Sequence, residues 1–181
     1  MHPHTTFFTP PTKQLGFSMI EIMVTIAIIA TSLLGTAGLQ AYAMRVNQGA
    51  QLRSQAVFLA SDIAERMEAN KAGATTGVGY DLDEVTSAPA SVDTCYSSTC
   101  SASNLAAYDL NQWSNSIDTL LPQAIAWEIC KDANLDGTCD STSTATNPIN
   151  YLIRISWTDR RYDRNNTDVT FSYKTTRTIS N

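Results

Sequence analysis

Histidine is nearly absent: of 181 residues only two are histidines, His2 and His4, and both precede the first long apolar run. Removal of that leader would leave the mature chain without an imidazole. A histidine-dependent catalytic triad, a two-histidine metal site and a histidine proton shuttle would then all be excluded. Charge is also sparse, 16% of residues, with twelve Lys and Arg against seventeen Asp and Glu for a net charge of -5. A surface that tracks phosphates needs a basic excess, so nucleic acid is not an expected partner. No Gly-x-Ser-x-Gly, phosphate loop, paired-carboxylate signature or Cys-x-x-Cys occurs, so the chain reads as a non-enzyme without a cofactor. At 43% hydrophobic residues there is enough apolar material for one core of ordinary size, which excludes disorder along the whole length.

No proline interrupts the chain between Phe17 and Ser87, and Phe17–Leu39 is almost wholly apolar. Glu21 is the only charge between Lys13 and Arg45. At about 1.5 Å per residue this stretch spans roughly 34 Å as a helix, enough for a hydrocarbon core of about 30 Å. Three readings compete. One is a plain signal anchor. A second is a secretory signal peptide cut after Ala43, since Ala41-Tyr42-Ala43 has the small-x-small pattern, although the apolar region exceeds the usual length. The third starts from Glu21. An acid at the bilayer centre costs about 2.5 to 3.5 kcal/mol on insertion scales. A cut between Gly16 and Phe17 would create an ammonium four residues before Glu21, about 6 Å away along a helix, and so supply a partner.

The stretch Gly16-Phe17-Ser18-Met19-Ile20-Glu21 resembles the prepilin cleavage motif of type IV pilins and of the pseudopilins of type II secretion. Glycine, phenylalanine, acid and apolar run all fall in register. The resemblance implies that Gly16 is the cleavage residue, Phe17 the N-methylated first residue of the mature chain, and Glu21 the acid that meets the terminal amine of a neighbouring subunit. Positive charge does not set the orientation, because Lys13 before the span is nearly balanced by Arg45 and Arg53 after it. The resemblance puts the C-terminal part outside the cytoplasm.

The expected organisation is a leader over 1–16, a long helix over 17–72 (17–39 transmembrane, 40–72 amphipathic) and a head over 73–181. Leu52, Ala56, Leu59, Ile63 and Met67 recur at helical spacing, while Arg53, Asp62, Glu65 and Glu68 mostly take other directions. Gly35, Gly38 and Gly49 are the weak points of this helix, each costing about 1 kcal/mol relative to alanine. Major pilins typically carry a proline near the position of Gly38.

Residues 73–101 read as a surface connection with little regular structure. A second helix is predicted from Asn104 to Leu121, capped by Ser103, with Ala106, Leu110, Trp113, Ile117 and Leu121 as its buried stripe and Pro122 after its end. Three strands follow, marked by Ile125, Trp127 and Ile129; by Tyr151, Ile153, Ile155 and Trp157; and by Val169, Phe171 and Tyr173. They predict an antiparallel sheet with one packed and one wet face, covered by the long helix. The fold class is therefore α+β, type IV pilin-like, a long N-terminal membrane-spanning helix packed against an antiparallel sheet. The charged run from Asp159 to Asn166 reads as a solvated hairpin loop or a contact with another subunit.

Four cysteines allow three connectivities, and proximity favours Cys95 with Cys100 and Cys130 with Cys139. Zinc is the alternative, although the spacings suit the usual short knuckle poorly. Asp132-Ala133-Asn134-Leu135-Asp136-Gly137 matches the opening half of an EF-hand, with Asp132, Asn134, Asp136 and Asp140 as weak candidate calcium ligands. The twelfth position is Ser143 instead of glutamate, and turn-forming Asn and Asp beside glycine need no ion.

The plan of the head, with the helix containing Trp113 and two cysteine pairs after a long leader, looks most like the PilV-type minor pilins. That resemblance implies a structural subunit matured by prepilin peptidase. It is held in the inner membrane with its head in the periplasm, then extracted into an extracellular pilus. Its implied partners are other minor pilins, the major pilin and a tip-associated adhesin, with roles in priming pilus assembly, twitching motility and cell adhesion. A pseudopilin of type II secretion and a secreted protein cut after Ala43 are the alternatives.

Overall fold

The computed structural model describes residues 16–75, 79–91, 94–97, 99–140, 148–159 and 169–180. They form α1 (Met19–Ala69), α2 (Lys71–Thr75), β1 (Leu82–Val85), α3 (Thr94–Ser97), α4 (Ala102–Leu120), β2 (Ala124–Lys131), β3 (Ile149–Asp159) and β4 (Val169–Ile179). The chain divides into two compact units, Met1–Met44 and Arg45–Asn181. His2, His4, Ser143 and most of the charged run after Asp159 lie outside the described residues.

In the first unit every described residue is exposed, including all the large apolar side chains from Phe17 to Tyr42. No core is formed there. α1 is long and apolar enough in this part to cross a membrane, with none of its most apolar stretch buried in the protein. The hydroxyls of Thr25, Thr31 and Thr36 donate to carbonyls of their own helix, those of Ile22, Ile28 and Leu33, at 2.8 to 2.9 Å. These threonines therefore carry no unsatisfied donor into an apolar surrounding.

The second unit buries what the first leaves bare. Ala56, Leu59, Ala60, Ile63, Ala64 and Met67 of α1 are all at or below 3% exposure and meet α4 and one face of the sheet. From α4 the Trp113 indole N–H reaches α1 and donates to the Leu59 carbonyl at 2.8 Å. Trp113 is fully buried, and so are Ala106, Ile117 and Leu121, with Leu110 nearly so. α4 thus shares with α1 the cover of the sheet, which the sequence assigns to α1 alone. Trp127 donates to the Ser114 hydroxyl at 3.0 Å, and the Tyr151 hydroxyl donates to the Ala74 carbonyl at 2.7 Å. Large buried aromatics thereby also satisfy their polar atoms.

The sheet is antiparallel throughout, in the order β1-β2-β3-β4. The predicted strands are three of these, and β1 is the fourth. It is a four-residue strand with an irregular register against β2, in the stretch expected to lack regular structure. Trp127 and Ile129 lie opposite Ile155 and Ile153 on the packed face. The outer face is not uniformly wet: Leu152, opposite Cys130, is 2% exposed and Glu128 is 6% exposed. Arg154 sits over that acid, its guanidinium 2.8 Å from Glu128 and 2.6 Å from Glu84, linking three strands.

Two local expectations are corrected. The cap of α4 is Ser101, whose hydroxyl accepts from the Asn104 amide at 3.2 Å, and not Ser103, which lies inside the first turn. Gly49 is not simply a weak point, because a Cβ there would stand 2.7 Å from an Asp159 carboxylate oxygen. The glycine allows the end of β3 to approach α1.

Candidate functional site

The candidate site is the start of α1. Gly16, Phe17 and Ser18 precede the helix, and the Ser18 carbonyl accepts from the amides of Glu21 (3.0 Å) and Ile22 (3.4 Å), closing its first turn. The helix begins two residues later than the Phe17 expected from the apolar run. The signal for that start was present: Ser18-x-x-Glu21 has the spacing of a capping box. Phe17 is 80% exposed, so the Gly16–Phe17 bond stands clear of the helix behind it.

Glu21 occupies the first turn, where unpaired N–H groups make the helix end electropositive and favour an acid by about 0.3 to 1 kcal/mol. Among the described residues it forms no salt bridge. It is exposed on a segment whose surroundings are otherwise apolar side chains, so any environment that covers this helix must also accommodate the carboxylate. An added positive group at the chain start answers that demand.

The other candidate residues lie in the head. Cys95 is bonded to Cys100 and Cys130 to Cys139, with Cα atoms 5.0 and 5.4 Å apart, and no cysteine is free. Glu128 comes within 3.4 Å of the Cys139 sulfur, and Glu128, Cys130 and Cys139 bring their side-chain ligand atoms within 4.8 Å of one another. Both sulfurs are consumed by the disulfide, so this trio supplies no thiolate for zinc.

The loop Asp132–Asp140 uses its acids on its own backbone. Asp132 is fully buried and its two carboxylate oxygens accept from the amides of Asp136 (3.1 Å) and Gly137 (2.9 Å). Asp140 accepts from the Ala133 amide at 2.8 Å, and Asp136 from the Thr138 amide at 2.8 Å. The Thr138 hydroxyl, which also donates to Asp136, and the Thr138 amide together hold the Asp136 carboxyl below the usual carboxylate range. Asn134 accepts from the Asp136 amide at 3.2 Å. The four candidate calcium ligands therefore serve as turn-forming acceptors, with Leu135 (φ 59°) and Gly137 (φ 79°) in the left-handed conformation.

A cluster that the sequence does not announce joins α1, α4 and the segment before β1. The Tyr80 hydroxyl donates to Asp109 at 2.6 Å, and the Arg66 guanidinium reaches Asp109 at 3.3 Å and Asp62 at 3.1 Å. Burial, reinforced by the bond to Asp109, pushes the Tyr80 phenol well up from its ordinary value. No local pattern could have found it, because Arg66 and Asp109 at its centre are 43 residues apart.

Comparison with known families gives two matches. Residues 38–111 match the family described as Type IV pilin Tt1218 (Tt1218-like), and residues 11–37 match the prokaryotic N-terminal methylation motif. Together they support a pilin-type protein. The long apolar N-terminal helix and the antiparallel four-stranded sheet are consistent with the type IV pilin fold, and that family is structural, not enzymatic. The methylation motif and the apolar helix fit membrane anchoring before assembly, and processing by prepilin peptidase goes with them. No curated protein and no solved structure gives a match.

Proposed function

We propose that the chain is a minor pilin of a type IV pilus, most similar to the PilV type. In this reading prepilin peptidase cuts after Gly16 and methylates Phe17. The mature subunit waits in the inner membrane through residues 17–39 with its head, residues 73–181, in the periplasm. It then enters the extracellular pilus beside other minor pilins and the major pilin, carries or adjoins a tip-associated adhesin, and helps to prime assembly for twitching motility and cell adhesion. The observation that carries the reading is Glu21: a single acid at the start of a helix whose first part, through Leu39, is otherwise uncharged and wholly exposed, one turn beyond the bond whose cleavage would create an ammonium.

The mechanism is charge neutralisation during bundling. As apolar helices replace lipid around one another, the Phe17 amine of one subunit meets Glu21 of the next, so the new surroundings hold no uncompensated charge. The disulfides close loops in the head and hold it folded during extraction. Mass spectrometry of the mature N-terminus tests the reading. It predicts a methylated Phe17 as first residue; Met44 as first residue would mark a secreted protein, and an uncut leader a plain anchor. Co-purification with pilus components, as opposed to secretion-machine components, separates the pilin from the pseudopilin.

A further inference from the structure

We infer that the Cys130–Cys139 disulfide is a charge-selective thiol-exchange site, open to thiols that carry positive charge beside their sulfur and shielded from anionic ones. The bridge is within reach of solvent: Cys139 is exposed and Cys130, on β2, is half-buried. Both line a cleft of about 310 Å³. A thiolate entering the cleft therefore meets Cys139 first. A new sulfur–sulfur bond forms there, the Cys130–Cys139 bond breaks, and its electron pair leaves on Cys130, which takes a proton from water. A second thiol then releases Cys139 as a thiol, so the protein gains two electrons and two reagent thiols end as one disulfide.

The walls of the cleft decide which reagent arrives. Asp81, Asp83 and Asp140 line it together with Lys131. The Lys131 ammonium is engaged by Asp81 at 2.9 Å. Glu128, 6% exposed, brings a carboxylate oxygen within 3.4 Å of the Cys139 sulfur, and its cation Arg154 is shared with Glu84. Asp83 and Asp140 form no ion pair among the described residues. Lys174, from β4, reaches the same loop at the Gly137 carbonyl, beside Asp136. Acids thus outnumber cations around the sulfurs, and they come from β1, from β2 and from the loop itself.

The attacking sulfur is negative whatever the reagent, so discrimination comes from the charge carried next to it. An ammonium close to the thiolate offsets the repulsion from these acids, whereas a sulfonate or carboxylate adds to it. Steering of this kind changes bimolecular rates by about tenfold or more at low salt and fades as ions screen it. The other disulfide is a reference within the same molecule, because Asp93 is the only charged residue between Val85 and Tyr108. This inference stands on the head alone and does not depend on the chain's place in a fibre.

Reduction of the full-length protein in uncharged detergent micelles tests it, with cysteamine, mercaptoethanol and mercaptoethanesulfonate as thiols whose thiolate forms are zwitterionic, singly negative and doubly negative. Freed cysteines are alkylated and counted by peptide mass spectrometry. Each rate at Cys130–Cys139 is divided by the rate at Cys95–Cys100 in the same tube, which cancels the intrinsic reactivity of the reagent. The ratio should be highest for cysteamine and about tenfold lower for the sulfonate at low ionic strength, and the spread should close in about 0.5 M salt. Asp83→Asn with Asp140→Asn, which keeps an acceptor for the Ala133 amide, should narrow the spread about threefold. The thiol and salt comparison on the unaltered protein carries the test even where that variant does not fold. Equal ratios for the three thiols, a spread that persists in salt, no reduction of Cys130–Cys139 by any of them, or a folded double variant with the wild-type spread would each overturn the assignment.

Discussion

The two units of this chain treat polar groups in opposite ways. In Arg45–Asn181 the buried acids Asp109, Glu128 and Asp132 each have a partner supplied from elsewhere in the same unit, and among the described residues no buried side-chain polar atom lacks one. In Met1–Met44 the one carboxylate of the apolar helix forms no salt bridge among the described residues, and none of those residues is buried. The head is complete as a folded object. The N-terminal helix is complete only in surroundings that the chain itself does not provide: lipid, or other helices of its kind.

The largest effects should come from breaking the completeness of the head. Trp113→Ala removes a fully buried indole and its hydrogen bond to the Leu59 carbonyl, so it should cost about 3 to 5 kcal/mol in denaturant unfolding of the detergent-solubilised protein. Phe58→Ala, one residue from Leu59 but exposed, should stay within about 0.5 kcal/mol of wild type. If the two cost the same, the division between the faces of α1 is wrong.

The difference between what was legible and what was not follows from range. The buried stripe of α4 could be read because Ala106, Leu110, Trp113, Ile117 and Leu121 repeat at the pitch of a helix, and β3 because large apolar residues alternate. β1 could not: Leu82-Asp83-Glu84-Val85 is short, acidic and held by pairing with β2, a contact some 45 residues away in sequence. The unequal cover of β3 and β4 was equally invisible, since both strands alternate alike and only their neighbours differ. Ser101 and Ser103 are two residues apart and chemically identical, so the cap was underdetermined by composition. At the candidate site the motif Gly16-Phe17…Glu21 was fully visible because it is local.

Next in size is the Cys130–Cys139 bridge. Its loop of ten residues should contribute about 2 to 3 kcal/mol, so the double serine variant should unfold at correspondingly lower denaturant. Asp132→Ala in the same loop removes the acceptor of the Gly137 amide and one of the two acceptors of the Asp136 amide, and should cost about 1 to 3 kcal/mol. Added calcium should not alter the melting of the wild type, because the loop already spends these oxygens on its backbone; a rise in melting temperature with calcium would contradict that reading.

Alkali gives a smaller and graded effect. Burial pushes up the phenols of Tyr80 and Tyr151, with Asp109 adding to the first and the charge of Asp81 to the second, from an ordinary value of 10.0. Unfolded tyrosines ionise from there upward while the native ones stay protonated. The associated stability is therefore whole below about pH 10 and is lost as pH rises beyond it. Melting temperature should fall above that point, and less steeply for Tyr80→Phe with Tyr151→Phe. A pH-independent melt between 9 and 11 would show that neither phenol is sealed off.

Smallest of all should be the effect of Glu21→Ala on folding, because the residue is exposed and outside the core: within about 0.5 kcal/mol by denaturant unfolding. Its effect on assembly is the contrast that matters. The most direct measurement is the amount of Glu21→Ala chain in sheared, purified fibres relative to wild type, with terminal mass spectrometry confirming that both are cut after Gly16. The account predicts normal processing, a normal head and a fibre depleted of the variant. Incorporation at the wild-type level would contradict it.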